Sequence, residues 1–244
     1  MRALVTGTNG TVAPVVVDAL RAEGATVLAW DRAAHPPTSA ESVRQSVAEM
    51  APDWVLHLAT GSEDWAGWIA QACAAQGRRV LFTSSVSVFA PRAHGPLPPN
   101  AEPDATDDYG RYKARAEALV REAAPDAVIA RLGWQIGPAP GTNTMTDWLH
   151  RQSAEGPVEA STRWLPACSW LRDTAAALAA LVGRAEGGTF HLDGNKGLSF
   201  YEITTRLSAR LGLDADIRAA DAPVMDLRLS DPRITVRDIA DRLS

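Results

Sequence analysis

The chain has 244 residues, 46% of them hydrophobic and 22% charged, with a formal net charge of −5 and two distant cysteines, Cys73 and Cys168. The apolar content excludes a disordered chain, the lack of any period excludes a repeat array, and the length suffices for one large core with a small appended lobe. The acidic balance argues against nucleic acid or an anionic membrane as partner. Two lone cysteines make neither a disulfide framework nor a metal-ligand set, so a reducing, cytoplasmic setting is expected.

The chain opens on a strand-like run, Arg2 to Thr6, so no signal peptide or spanning segment is expected. Helical spacing follows over Gly10 to Glu23, a second apolar run over Thr26 to Trp30, and a short helix over Ala40 to Met50. Pro52-Asp53 punctuates before a third strand, Trp54 to Ala59; a helix, Trp65 to Gln76, and a fourth strand, Arg79 to Ser84, come next. Ala90 to Asp108 is a long Pro-, Asp- and Gly-rich loop of a length that usually carries function, and Asp107 is placed to cap the helix running to Ala124. A fifth strand spans Ala127 to Leu132.

These strands lack two-residue alternation, as expected of strands buried on both faces. The chain therefore predicts an α/β fold, a Rossmann-like doubly wound parallel sheet. Beyond residue 135 the expected pattern is a helix over Asn143 to Gln152, a Trp-containing loop, a helix over Arg172 to Val182, a strand over Thr189 to Leu192, a helix over Ser199 to Leu211 and a polar C-terminal segment. Asp173 is expected to cap the second of these helices. The expected division is a dinucleotide-binding domain, 1–135 completed by 161–183, and a small substrate-binding lobe, 136–160 with 184–244.

Two places carry chemistry. Between the first strand and first helix stand Gly7, Thr8, Asn9, Gly10, Thr11 and Val12, with Ala13 after them. Gly7 permits a tight turn, and Gly10 lets backbone approach a pyrophosphate at a helix N-terminus. Asp31 closes the second strand 24 residues after Gly7, where a carboxylate accepts ribose hydroxyls and favours NAD; Arg32 beside it offers a partner to a 2′-phosphate, so NADP stays open. The second place is Tyr109-Gly110-Arg111-Tyr112-Lys113. Only two of the 24 basic residues are lysines, and Lys113 lies four residues after Tyr109, on one helix face. An ammonium there is expected to lower the phenol pKa from about 10 toward the working pH, fitting Tyr109 for proton transfer. Hydroxyls cluster upstream in Thr83-Ser84-Ser85-Val86-Ser87.

The order of Gly7-x-x-Gly10-x-x-Ala13, His57-Leu58-Ala59, Ser84-Ser85 and Tyr109-x-x-x-Lys113 resembles the extended short-chain dehydrogenase/reductase superfamily over nearly the whole chain. Within it, Arg131-Leu132-Gly133-Trp134 with Gly137, Asn143, Gly188-Thr189-Phe190-His191-Leu192, Leu227-Arg228-Leu229 and Arg233-Ile234 resemble the dTDP-4-dehydrorhamnose reductase branch. The resemblance implies that Ser85 orients a carbonyl, Tyr109 is the acid/base and Lys113 holds the nicotinamide ribose. It further implies that Leu58, Ala59, Thr60 and Leu132 line a nicotinamide cofactor, and that Ser87, Trp134, Asn143 and Arg228 meet a keto or sugar substrate. A reductase is the leading expectation; an epimerase or dehydratase, or a non-catalytic NAD(P)-binding regulatory subunit, are the alternatives. A homodimer is usual in the family.

The chain also departs from the pattern. No asparagine lies between Asn9 and Asn100, so the usual fourth member of the catalytic network is missing. Ala222-Pro223-Val224-Met225 stands where the family carries Arg-Pro, which puts recognition of a diphosphate in question. The five histidines show no ligand spacing, so no metal is expected, and no G-x-S-x-G elbow supports a hydrolase.

Overall fold

The computed structural model describes residues 1–92, 94–137, 144–184 and 186–244. In chain order the first half alternates β1 (Arg2–Thr6), α1 (Ala13–Ala22), β2 (Thr26–Ala29), α2 (Ala40–Met50), β3 (Trp54–His57), α3 (Glu63–Ala75), β4 (Arg79–Ser85), α4 (Asp108–Ala123) and β5 (Val128–Leu132). The second half holds β6 (Trp134–Ile136), α5 (Met145–Glu155), β7 (Val158–Ser161), β8 (Trp164–Leu165), β9 (Cys168–Trp170) and α6 (Leu171–Val182). It ends with β10 (Gly188–Leu192), α7 (Phe200–Leu211), β11 (Ile217–Ala220) and β12 (Met225–Asp226).

Six strands form one parallel sheet in the order β10-β5-β4-β3-β1-β2. Every residue of β3 and β5 is buried, as in a sheet covered on both faces, and their two polar members, His57 and Arg131, find partners inside. Helices α1 and α6 pack Val16, Leu20, Leu178 and Leu181 on one face, whereas α2, α3 and α4 pack Val43, Val47, Ile69 and Val120 on the other. The chain reverses direction across the sheet between β1 and β3, and a crevice opens there beyond the strand ends. A separate core under the last third joins Ile136, Leu149, Trp170, Phe200, Ile203 and Ile239. Among the described residues, no helix is long and apolar enough to cross a membrane.

Several local expectations change. The first helix begins at Ala13 rather than Gly10, because residues 7–10 are spent on a turn closed by Gly10 N–H to the Gly7 carbonyl at 2.8 Å. The third strand stops at His57, two residues early. The Trp-containing loop holds β7, β8 and β9, and the polar C-terminal segment supplies β11 and β12. These are two- to four-residue parallel pairs between distant segments, Ile217 opposite Val158, Met225 opposite Trp164 and Trp134 opposite Cys168, and pairing of that range leaves no local signal. Asp173 does not cap its helix: α6 starts after Trp170 with no side-chain cap, and Asp173 instead accepts the Arg242 fork at 2.9 and 2.6 Å.

Helix α4, which carries Tyr109 and Lys113, is fixed at its start and again near its middle. Asp107 accepts Gly110 N–H at 2.8 Å, and a β-carbon on Gly110 would overlap the Ser87 carbonyl, so only glycine lets the helix start this close to the end of β4. Further along, Glu117 receives both arms of Arg131 from β5 at 2.9 and 2.8 Å, with both side chains almost fully buried. His191 of β10 donates Nδ1–H to the Leu97 carbonyl at 2.9 Å, leaving Nε2 to accept from Arg131. Removing one partner of a buried pair strands the other. Glu117→Ala is therefore expected to cost about 3–5 kcal/mol and lower Tm by roughly 10 °C, whereas the double variant Glu117→Leu/Arg131→Met recovers most of that loss. Thermal unfolding followed by circular dichroism checks both.

Candidate active site

One cleft of about 1010 Å³ runs along the carboxyl ends of the sheet strands. Its first wall is the turn 7–12. Gly7 has φ +76°, and a β-carbon there would stand 2.8 Å from Ala59 N, so the turn is pressed against the segment after β3. Thr6 ties the two together: its hydroxyl accepts Leu58 N–H and Ala59 N–H, both at 3.0 Å. Having two acceptor bonds, that hydroxyl sends its own proton to His57 Nδ1 at 2.9 Å. His57 thus carries its ring proton on Nε2, which has no hydrogen-bond partner and lies in a dry contact with Trp65, ring centroids 4.6 Å apart. Helix α1 has no side-chain cap, so its first turn offers N–H groups to an anion at the glycine turn.

Asp31 and Arg32 stand at the end of β2 on the same cleft, both exposed. Asp31 accepts Ala33 N–H at 2.8 Å, and the Arg32 guanidinium lies 5.6 Å from the Trp65 ring centre.

At the other end, Ser85 finishes β4 and accepts Ser87 N–H at 3.1 Å, and the two hydroxyls are 3.1 Å apart. The Ser85 hydroxyl and the Tyr109 phenol face the same cleft. Tyr109 stands at the rim, 47% exposed. Lys113, 4% exposed, donates to the Thr83 carbonyl at 2.9 Å, and its Nζ is 6.0 Å from the Tyr109 ring centre. Here an expectation is corrected. The phenol pKa is not lowered: burial pushes it above its ordinary value, and the Ser85 hydroxyl only partly offsets that. The ammonium that was to lower it is committed to a carbonyl, and burial brings Lys113 itself down to about 8 against the pull of Glu117. The arrangement therefore favours the protonated phenol at Tyr109.

The cleft gathers every sequence-predicted residue of the turn 7–12, Asp31, Arg32, 58–60, Ser85, Ser87, Tyr109, Lys113, Leu132 and Trp134. Asn143 lies outside the described residues. Arg228 is not on the cleft wall; its fork is closed on Asp226 at 2.9 and 2.7 Å and on the Lys196 carbonyl at 2.9 Å. Trp65, Gln135 and Trp164, which the sequence reading did not single out, also line the cleft. For Gln135 the signal was its position beside Trp134, and for Trp164 its place ahead of Cys168. Nothing local singled out Trp65. Among the described residues, no group of acids, histidines and cysteines is placed to hold a metal.

A parallel sheet with this crevice, and a serine, a tyrosine and a lysine at the ends of β4 and α4, define an extended short-chain dehydrogenase/reductase, a class of NAD(P)-dependent oxidoreductases. More narrowly, residues 62–236 match the RmlD substrate binding domain, and the chain belongs to that family. It is similar to a dTDP-4-dehydrorhamnose reductase of Streptomyces griseus, 27% identical over 97% of this chain and 84% of that protein. A protein of the same name from Mycolicibacterium smegmatis is 27% identical over 78% of this chain and 63% of its own length. The fold matches the structure of a Bacillus anthracis dTDP-4-dehydrorhamnose reductase in complex with NADP, with a TM-score of 0.84, 18% identity and coverage of 99% and 96% of the two chains.

Two buried histidines set the acid limb of stability. Burial holds His57 neutral, with a pKa of about 3, helped by Lys113 and Arg32; burial likewise takes His191 to about 4. A base whose folded pKa lies below its ordinary 6.5 contributes stability above 6.5 that is lost as pH falls toward the folded value. Asp193, raised by burial to about 7, runs the other way and offsets roughly one histidine. Net stability is expected to fall by about 1.4 kcal/mol per pH unit below about 6.5. Urea midpoints across pH 7.5 to about 4.5 measure this, and a flat profile would contradict it.

Proposed function

We propose that the protein reduces a ketone on a sugar-class compound, using NADH or NADPH. The observation that supports this best is the convergence of Ser85, Tyr109 and Lys113 on the cleft that also contains the glycine turn and Asp31. The names of the relatives support a keto sugar as acceptor.

The residues present suit a nicotinamide dinucleotide. The uncapped start of α1 and the turn at Gly7 and Gly10 would receive its pyrophosphate, Asp31 its adenosine ribose, and Lys113 its nicotinamide ribose. When bound and reduced, that group supplies a hydride to the carbonyl carbon. The chain supplies the rest. Ser85 donates a hydrogen bond that orients the carbonyl oxygen. Tyr109, held protonated by its surroundings, gives that oxygen its proton. Lys113 adds a positive charge beneath the phenol as the phenolate forms. The ketone leaves as an alcohol, having gained one hydride and one proton.

Consumption of NADPH or NADH, followed by absorbance with a panel of keto sugars, tests the reading. Tyr109→Phe should lower kcat by about 10²–10⁴-fold with the dinucleotide Kd unchanged. Turnover that survives this change removes Tyr109 as the acid. The wild-type rate of reduction should decline above about pH 8, where Lys113 loses its proton.

Both dinucleotides are accommodated on this reading, because Asp31 accepts ribose hydroxyls and Arg32 offers a charge to a 2′-phosphate at the open cleft mouth. Arg32→Ala should raise KM for NADPH about tenfold and leave KM for NADH within about twofold, as one exposed charge-assisted contact requires. Equal effects on both cofactors would assign Arg32 no part in the choice.

A further inference from the structure

We propose that Asp193 is a positioning residue for the substrate: its buried carboxylate holds together the two chain segments that wall the cleft opposite the dinucleotide end. The proposal rests on the keto-reductase reading and adds a control of substrate affinity at that same site. Two stretches of the last third line the cleft, Trp164, Pro166 and Ala167 ahead of β9, and Leu227 after β12. The Ala167 carbonyl also takes Trp134 N–H at 2.8 Å, so the first stretch carries the aromatic residue expected against substrate.

A short parallel ladder joins the two stretches at one end, with Met225 opposite Trp164 and Leu227 N–H on the Leu165 carbonyl at 2.9 Å. Past Leu165 and Leu227 no further backbone bond joins them among the described residues. Asp193, in the turn after β10, spans the gap. One carboxylate oxygen accepts Cys168 N–H at 3.1 Å and Asn195 N–H at 2.8 Å; the other accepts Leu229 N–H at 2.8 Å. The same turn supplies Asn195, whose amide nitrogen donates to the Pro166 carbonyl at 2.8 Å. Asp193 is buried and does not line the cleft, so it acts through the wall and not on the substrate.

A carboxylate that accepts three N–H groups does so fully only while ionised. Protonation turns one acceptor oxygen into a donor facing an N–H, and at least one bond is lost. Burial brings Asp193 up to about 7, against the pull of its three N–H bonds and of Lys196. The charged and titratable groups around it are known. Lys196 lies on its own turn, and the Cys168 thiol of β9 is pushed well above its ordinary value by burial. Arg228 of the second stretch is closed on Asp226, and Arg237, from the segment packed on Gly194, pairs with Asp241. The wall therefore loosens as pH falls through 7, and substrate affinity falls with it.

The test uses the full chain with NADPH and the keto sugar it reduces fastest. Wild-type KM for that acceptor should rise about tenfold from pH 7.5 to 6, as a group titrating near 7 requires, with kcat within about twofold. The NADPH Kd, read from tryptophan quenching, should stay unchanged. Asp193→Asn can keep the Cys168 and Asn195 bonds on its amide oxygen but turns an NH₂ on Leu229 N–H. Its KM should be about tenfold higher at pH 7.5 and flat down to pH 6, because the titrating group is gone. A wild-type KM that is flat over this range, or a variant that keeps the wild-type profile, overturns the inference and leaves the keto-reductase reading intact. Should the variant fail to fold, the wild-type profile decides. No NADPH oxidation with any keto sugar, in protein that binds NADPH, overturns the keto-reductase reading. Hydrogen exchange at the Leu229 amide then decides the clamp: its protection should fall from pH 7.5 to 6, and unchanged protection overturns the role of Asp193.

Discussion

The buried pair between Glu117 and Arg131 is the contact on which the site depends. Tyr109, Lys113 and Glu117 succeed one another at four-residue spacing along one face of α4, so fixing the last sets the rotation of the other two. Arg131 sits opposite Ser84 in the β4–β5 ladder, one residue from the level of Ser85. One bidentate bond in a dry interface therefore places the helix carrying Tyr109 against the strand end carrying Ser85. A surface pair would not hold this position, since water and salt weaken it. Gly110 serves the same end from the other side, by letting the helix start rest on Ser87.

Chemistry at the site follows from dryness as much as from residue identity. Burial raises the Tyr109 phenol, lowers the Lys113 ammonium to about 8 and keeps His57 neutral. The raised Tyr109 phenol fits the proposed role of proton donor. His57 is not part of the reacting group, yet its tautomer, set by Thr6, shapes the wall between Leu58 and the glycine turn. The same buried imidazole makes the protein sensitive to acid, so the wall is gained at the cost of stability at low pH.

The last third of the chain gives the cleft its character. Its short strands pair across long sequence separations, and together they bring Trp134, Gln135 and Trp164 to one wall. That wall has aromatic faces and neutral hydrogen-bonding groups. Asp226 contributes by closing the fork of Arg228, the one arginine that the family resemblance would have placed on substrate.

The sequence by itself determined the alternation of strand and helix, the glycine turn and the Tyr109–Lys113 spacing, because each is encoded within a few residues. Ser39, Ser62, Asp107 and Ser199 cap their helices for the same local reason. What lay outside its reach was decided by contacts between distant segments. The Thr83 carbonyl that takes Lys113, the burial that raises Tyr109, the ion pair of Asp173 with Arg242 and the pairing of β6 with β9 all join residues far apart in the chain. Composition counts two lysines and three tyrosines. Only the folded chain buries Lys113 and leaves Tyr109 at the rim, and a group's charge depends on the water it has lost.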